Sequence, residues 1–305
     1  MKSLKKLLIL PVLMFGTIVF AQTASNRFFY ELTFKPKKDS AKIEKVMTTL
    51  DITKDKSLYR DFTWVAQDSI IKVQIEAMQK SGIFQDMSKS MTMPKFAYKI
   101  EKTYPDMKIV YEEGLQNGMT PMKLGYVDKT KFNWKILSDK EKIGTYNTQK
   151  ATTDFGDRKW TAWFTTDLPF QDGPYKFSGL PGLIVKIQDE KGDYSWELKG
   201  NKKVDNFEEL SYMEKISPGG NSKRVEVSRE KFETTIAEFK KDPFATIRPM
   251  LKPEMMSQKL PGSDVSIGEM VKKQEKMLKD FYDANDNPIE PPFKKVTVGK
   301  IEQIK

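Results

Sequence analysis

The sequence predicts a mainly β protein, a β-rich α+β fold in which an antiparallel meander forms a curved sheet or incomplete barrel with helices packed on it. Three observations point there. Short runs of alternating apolar and polar residues follow one another from Arg27 to Val204, and a period of two marks strands with one covered face. Gly, Asp, Asn and Lys turns separate the runs. Strands do not alternate with helices before about Asn206, which argues against a doubly wound α/β fold.

Each element has its own signal. "RFFYELTFKPK" puts Phe28, Tyr30 and Leu32 on one face of a strand. "EKVMTTLDIT" and "SLYRDFTWV" read as two strands joined by a turn at Lys54-Asp55-Lys56. "DSIIKVQIEAMQKSG" reads as a helix capped by Asp68 and stopped at Gly82. Its Ile70, Ile71, Val73, Ile75 and Met78 form a nearly continuous run rather than a clean stripe. Eight strand candidates follow: "KFAYKIEKTY", "MKIVYEEGL", "MKLGYVDKT", "FNWKILSD", "NTQKATTDFG", "RKWTAWFTTDL", "LIVKIQDE" and "YSWELKGNKKV". Trp160, Ala162 and Phe164 share one face, as do Tyr194, Trp196 and Leu198. Later, a helix capped at Ser228 turns Phe232, Ile236 and Phe239 inward, and a second turns Ile267, Met270, Met277 and Phe281 inward. The tail "NPIEPPFKK" is Pro-rich and extended. The organisation expected is a signal peptide over 1–21, then a single β-rich domain over 22–305 with helical additions near 228–284.

Composition excludes many activities. The leader has Lys2, Lys5 and Lys6, an apolar run from Leu7 to Phe20, and Val19 and Ala21 at the positions a signal peptidase reads. The chain is therefore expected to be exported to the periplasm or the extracellular space. A retained anchor is the alternative, but the run is short for a span of ~20 residues and is broken by Pro11 and Gly16. No later stretch is long enough, so no transmembrane segment is expected in the mature chain. Loss of Lys2, Lys5 and Lys6 lowers the formal charge from +10 to +7, and the excess is interleaved with acids as on a solvated surface. Attraction to anionic lipid or polysaccharide is the sharper alternative. Without a basic-aromatic module, nucleic acid is not an expected partner. There is no cysteine, hence no disulfide, thiol nucleophile, thiolate metal site or lipidated cysteine. There is no histidine, hence no Ser-His-Asp triad and no His-ligated zinc or haem. No cofactor is expected, and a catalyst would depend on carboxylates, Lys, Tyr or a Ser-Lys pair.

The stretch "YKFSGLPGLIVKIQD", Tyr175 to Asp189, is the densest motif. It lacks the Lys-Ser/Thr of a phosphate loop and the central serine of a nucleophile elbow. Leu180-Pro181-Gly182-Leu183 fits a type II turn, with proline presetting the first central position and Gly182 supplying a positive φ at the second. Gly179, Leu180, Pro181, Gly182, Leu183 and Ile184 are thus expected to form a structural turn. Around it Trp160, Trp163, Phe164, Phe170, Tyr175 and Phe177 form either a candidate apolar surface or core. "DFG" at Asp154 reads as a turn, since every partner motif of a kinase is missing. The Ser69/Lys72 and Ser228/Lys231 spacings are background, and "DANDNP" from Asp283 fails as a calcium loop. Met87, Met91 and Met93 cluster, as do Met255 and Met256; thioethers suit Cu(I), and flexible core packing is the alternative.

The string Ser178 to Ile184, with the approach "KATTDFGDRKWTAWFTTDLPFQDGPYKF" and a late "NPIE", resembles the GLPGLI family of exported Bacteroidota proteins. The resemblance implies an exported protein of unknown activity, with no catalytic residues to carry over. It also implies an association with TonB-dependent outer-membrane receptors. The leading expectation is non-catalytic binding of an apolar, lipid-like ligand or an outer-membrane partner, in an aromatic-lined concavity covered by helices and free of buried ionisable clusters. The alternatives are a carboxylate-based hydrolase acting on glycans, which needs facing carboxylates in one cleft, and a Met-based copper-handling protein.

Overall fold

The computed structural model describes residues 24–83, 92–117, 120–216, 221–259 and 263–292. The expected signal peptide lies outside the described residues, as do Met87 and Met91.

Among the described residues twelve strands form one open sheet. In chain order they are β1 (Ser25–Phe34), β2 (Glu44–Ile52), β3 (Lys56–Asp61), β4 (Tyr98–Thr103), β5 (Lys108–Asn117) and β6 (Thr120–Asp128), then β7 (Lys135–Ile143), β8 (Tyr146–Phe155), β9 (Arg158–Thr165), β10 (Leu183–Asp189), β11 (Tyr194–Val204) and β12 (Val225–Glu226). The spatial order is β12-β6-β5-β4-β3-β2-β1-β11-β10-β9-β8-β7. Every pairing is antiparallel except the two-residue contact of β12 with β6. Strand β1 is the seam between two meanders. Its Phe28, Tyr30, Leu32 and Phe34 alternate inward and are buried, as the period-two pattern requires.

The sheet curls. Ser57 on β3, Lys102 on β4, Trp160 on β9 and Trp134 before β7 all touch the single segment 172–178. Only a sheet bent around that segment brings such distant strands to it. The inner face holds the main core, built from Tyr30, Leu32, Phe34, Leu50, Trp160, Phe177 and Trp196 among others.

Helices are α1 (Thr63–Ala66), α2 (Asp68–Ser81), α3 (Tyr212–Ile216), α4 (Arg229–Lys241), α5 (Pro253–Met256) and α6 (Ile267–Asp283). Three details differ from expectation. "TWV" does not extend β3 but becomes α1, because the Asp61 carboxylate accepts from Thr63 N at 2.9 Å and from Lys95 N at 2.7 Å and so ends the strand. Asp68 lies in the first turn of α2, and its carboxylate accepts from Tyr212 N at 2.6 Å instead of capping its own helix. Met277, expected inward, is 37% exposed; the packed side of α6 runs through Leu278, Phe281 and Tyr282. The caps at Ser228 and Ser266 form, the latter as a capping box with Glu269. Helix α4 lies on the inner face of β5 and β6, where Phe232 and Ile236 meet Leu115, Leu124 and Tyr126.

Candidate functional site

The GLPGLI stretch belongs to a segment that leaves β9 at Thr165, crosses the inner face and re-enters the sheet at Leu183. Buried bonds fix it there. Lys102 is fully buried, and its ammonium donates to the carbonyls of Gly173 at 2.7 Å and Tyr175 at 3.1 Å while pairing with Asp172. Asp172 also accepts from Ser57 Oγ at 2.6 Å and Tyr104 OH at 2.5 Å. A Lys, an Asp, a Ser and a Tyr in contact resemble catalytic machinery. Here, however, Lys102, Asp172 and Ser57 are all buried and line none of the described cavities. Burial pushes the Lys102 ammonium down from its ordinary value, against the pull of Asp172.

The expected type II turn is not what forms. Gly179, not Gly182, has the positive φ, at 91°. Gly182 serves close approach: a Cβ there would lie 2.0 Å from the Thr165 carbonyl oxygen. The candidate apolar surface is also corrected. Trp160, Phe164, Tyr175 and Phe177 are buried in the core because β9 turns Trp160 and Phe164 inward and the crossing segment drives Phe177 between Trp160 and Trp196. Trp163 and Phe170 are half-buried, the first beside Lys150 and the second against Phe28. Of the six, Tyr175 lines a cavity among the described residues.

That cavity, about 380 Å³, opens between β4–β6, α4, the end of α6 and the strap 285–292. Register explains its floor. Tyr98 pairs with Glu113, which pairs with Leu124; Ile100 pairs with Tyr111, which pairs with Tyr126; Lys102 pairs with Ile109, which pairs with Asp128. Each rung puts its side chains on the same face. Tyr98, Tyr111, Tyr126, Tyr175, Phe232 and Tyr282 contribute aromatic wall. Burial pushes the Tyr98, Tyr111 and Tyr175 phenols far above their ordinary values, so all are hydroxyls at neutral pH.

Beneath the wall is a buried ionic cluster, contrary to the expectation of none. Lys176 pairs with Asp128 and Glu290, each at 2.5 Å, and its ammonium lies over the rings of Tyr111 and Tyr126, 5.2 Å from each centroid. Its ammonium is held above its ordinary value: burial works against it, but Glu290, Tyr126 and Asp128 outweigh that. Glu290 also accepts from Tyr175 OH at 2.6 Å and Arg229 at 3.0 Å, which anchors the strap. Farther along, Tyr194 OH donates to the Asn287 carbonyl and Ile289 enters the core.

The cavity's three carboxylates each face a cation, Glu113 the least closely. Glu290 is tied as above, Glu233 pairs with Arg229 at 2.7 Å, and Glu113 accepts from Tyr111 OH at 3.1 Å with Lys240 at 3.6 Å. Among the described residues no three acidic side chains gather as a metal cage. A second cavity of about 380 Å³ adjoins across Ala97, Phe281 and Tyr282 and is lined by Met93, Met122 and Met213. Met93 therefore lines a cavity of mixed apolar and charged side chains, while its expected partners lie outside the described residues. A third, about 460 Å³, is charged, but its Arg224 is already held by Glu101, Glu112 and Glu226 at 3.2–3.3 Å.

Fold and cavity together define a β-rich protein with a mostly antiparallel open sheet and an aromatic-walled pocket. A family described as "Protein of unknown function (Porph_ging)" matches residues 155–186, which contain the GLPGLI string. Among solved structures the chain is similar to PNGF-II in a C2 crystal form, with 17% identity, TM-score 0.48, and coverage of 70% of this chain and 33% of that one. It is likewise similar to PNGF-II in a P21 form, with 19% identity, TM-score 0.47, and coverage of 72% and 34%. The chain thus spans about a third of the length of those proteins. No curated protein matches it. Among the described residues no helix is long and apolar enough to cross a membrane.

Proposed function

We propose that the chain is an exported envelope protein of the GLPGLI type that holds a compact ligand with an apolar body, without catalysis. The family reading is supported by the match over 155–186 and by the string Ser178–Ile184 within it. Export rests on the leader alone. The observation that carries the binding reading is the cavity of about 380 Å³, walled by aromatic rings, in which Glu233 and Glu290 face Arg229 and Lys176 while Glu113 faces the more exposed Lys240. Its size suits a small molecule. Two of these carboxylates, Glu233 and Glu290, are already engaged by Arg229 and Lys176 instead of standing as a facing pair open to a substrate, which favours binding over the hydrolase alternative.

The test uses the neutral fluorescent probe N-phenyl-1-naphthylamine. The full chain should enhance its emission saturably. Ile236→Trp, which fills the cavity from α4, should abolish the enhancement while leaving circular dichroism unchanged. A folded Ile236→Trp variant that binds the probe like wild type would overturn the reading.

A further inference from the structure

We infer that the ligand of this cavity carries a cationic amine, and that Lys240 stands in for that amine in the free protein; the inference rests on the binding reading above. It begins from an incompletely satisfied polar corner. Tyr98 and Glu113 are cross-strand partners on β4 and β5, so their side chains stand together on the cavity floor. Glu113, with its side chain 7% exposed, accepts one hydrogen bond from Tyr111 OH at 3.1 Å. Among the described residues its charge is met by Lys240 at 3.6 Å, beyond hydrogen-bonding distance. Buried polar groups left short of partners are costly, and structures normally satisfy them.

A ligand ammonium group within hydrogen-bonding distance would complete the partners of Glu113. It offers N–H donors to the Glu113 carboxylate, and it is attracted to aromatic faces such as those lining the cavity. The corner already selects such a group: Lys240 Nζ rests 5.4 Å from the Tyr282 ring centroid. Lys240 lies in the last turn of α4 with its side chain 40% exposed, so it can swing into solvent when a ligand arrives. An anionic head group has no equivalent place. Arg229 is held by Glu233 and Glu290, and Lys95 by Glu44 at 2.6 Å. The neighbouring rings show the same preference from beneath, where Lys176 sits 5.2 Å from the Tyr111 and Tyr126 centroids.

The experiment is calorimetric titration of the full chain with three probes of one size: 2-phenylethylamine, 2-phenylethanol and 3-phenylpropanoate. The amine should bind about tenfold or more tighter than the alcohol, and the carboxylate weakest. Glu113→Gln should bring the amine to the level of the alcohol and leave the alcohol unchanged. Lys240→Met should strengthen the amine by removing its internal competitor. Equal binding of amine and alcohol, unaffected by Glu113→Gln, overturns the amine inference and leaves the cavity reading standing. Failure of all three probes while N-phenyl-1-naphthylamine still binds does the same. Failure of that probe as well removes both.

Discussion

Gly182→Ala tests how the bend at Ser178–Ile184 works. A Cβ at this position would lie 2.0 Å from the Thr165 carbonyl oxygen, 2.6 Å from its carbon and 3.0 Å from Thr166 N. These are backbone atoms at the end of β9, where Leu183 pairs with Thr165, so relief requires prising β10 from β9. Overpacking against side chains that can yield costs about 1–3 kcal/mol. A collision with paired backbone belongs above that range, at about 3–5 kcal/mol. Gly179→Ala is the control: φ is +91° there, but the nearest atom is Trp134 Nε1 at 4.0 Å. Its cost is conformational, about 1–2 kcal/mol. Urea unfolding followed by tryptophan fluorescence reads both, since Trp160 and Trp196 are buried in the core. A Gly182→Ala midpoint within about 1 kcal/mol of wild type, or a larger loss for Gly179→Ala, would refute the close-approach argument.

Three further outcomes are expected. Glu290→Gln removes one of the two carboxylates on buried Lys176 and should cost about 3 kcal/mol, with faster hydrogen exchange over residues 285–292; unchanged exchange there would show that the strap is anchored otherwise. Tyr98→Phe deletes a buried hydroxyl that has no partner among the described residues and should leave the melting temperature unchanged or raise it, whereas a marked drop would reveal a hidden partner. Burial works to raise the Glu214 carboxyl, but Lys99, the Ser211 backbone and Lys123 prevail and lower it from 4.5 to about 2. A depressed carboxylate stabilises the fold above its unfolded value and loses that contribution as pH falls from about 4.5 to about 2, on the order of 3 kcal/mol here. Acid titration should therefore show a shallower stability loss in Glu214→Gln than in wild type, and parallel curves would contradict the assignment.

The strand series was legible because burial imposes a period of two, and β1, β9 and β11 show it plainly. Short elements set by tertiary contact were not. Strand β12 is only Val225–Glu226, aligned by pairing with Leu124 and Gly125 rather than by its own pattern. The cavity was foreseeable only as a type, aromatic and helix-covered. Its floor depends on register: nothing in the spacing of Tyr98 and Glu113 announces that they are neighbours. Lysine misleads most, since a cation reads as surface, yet Lys102 and Lys176 are buried and hold the crossing segment. The positive φ expected at Gly182 falls instead at Gly179, and the close approach of Gly182 to Thr165 was not foreseen, because the position of Thr165 is invisible until β9 and β10 pair.

The place of β1 bears on how the chain comes together in time. Synthesis delivers β1 first, and β2 can pair with it at once, Phe34 with Glu44 and Asn26 with Ile52. Its other neighbour is β11, whose Val204 pairs with Ser25, so that edge stays open until nearly all the sheet has emerged. Contacts so distant in sequence form slowly, and an open hydrophobic edge invites pairing with other chains. The first meander must therefore wait, half-dressed, for the second, and the interval between them is when this protein is most exposed to aggregation or to a holding chaperone.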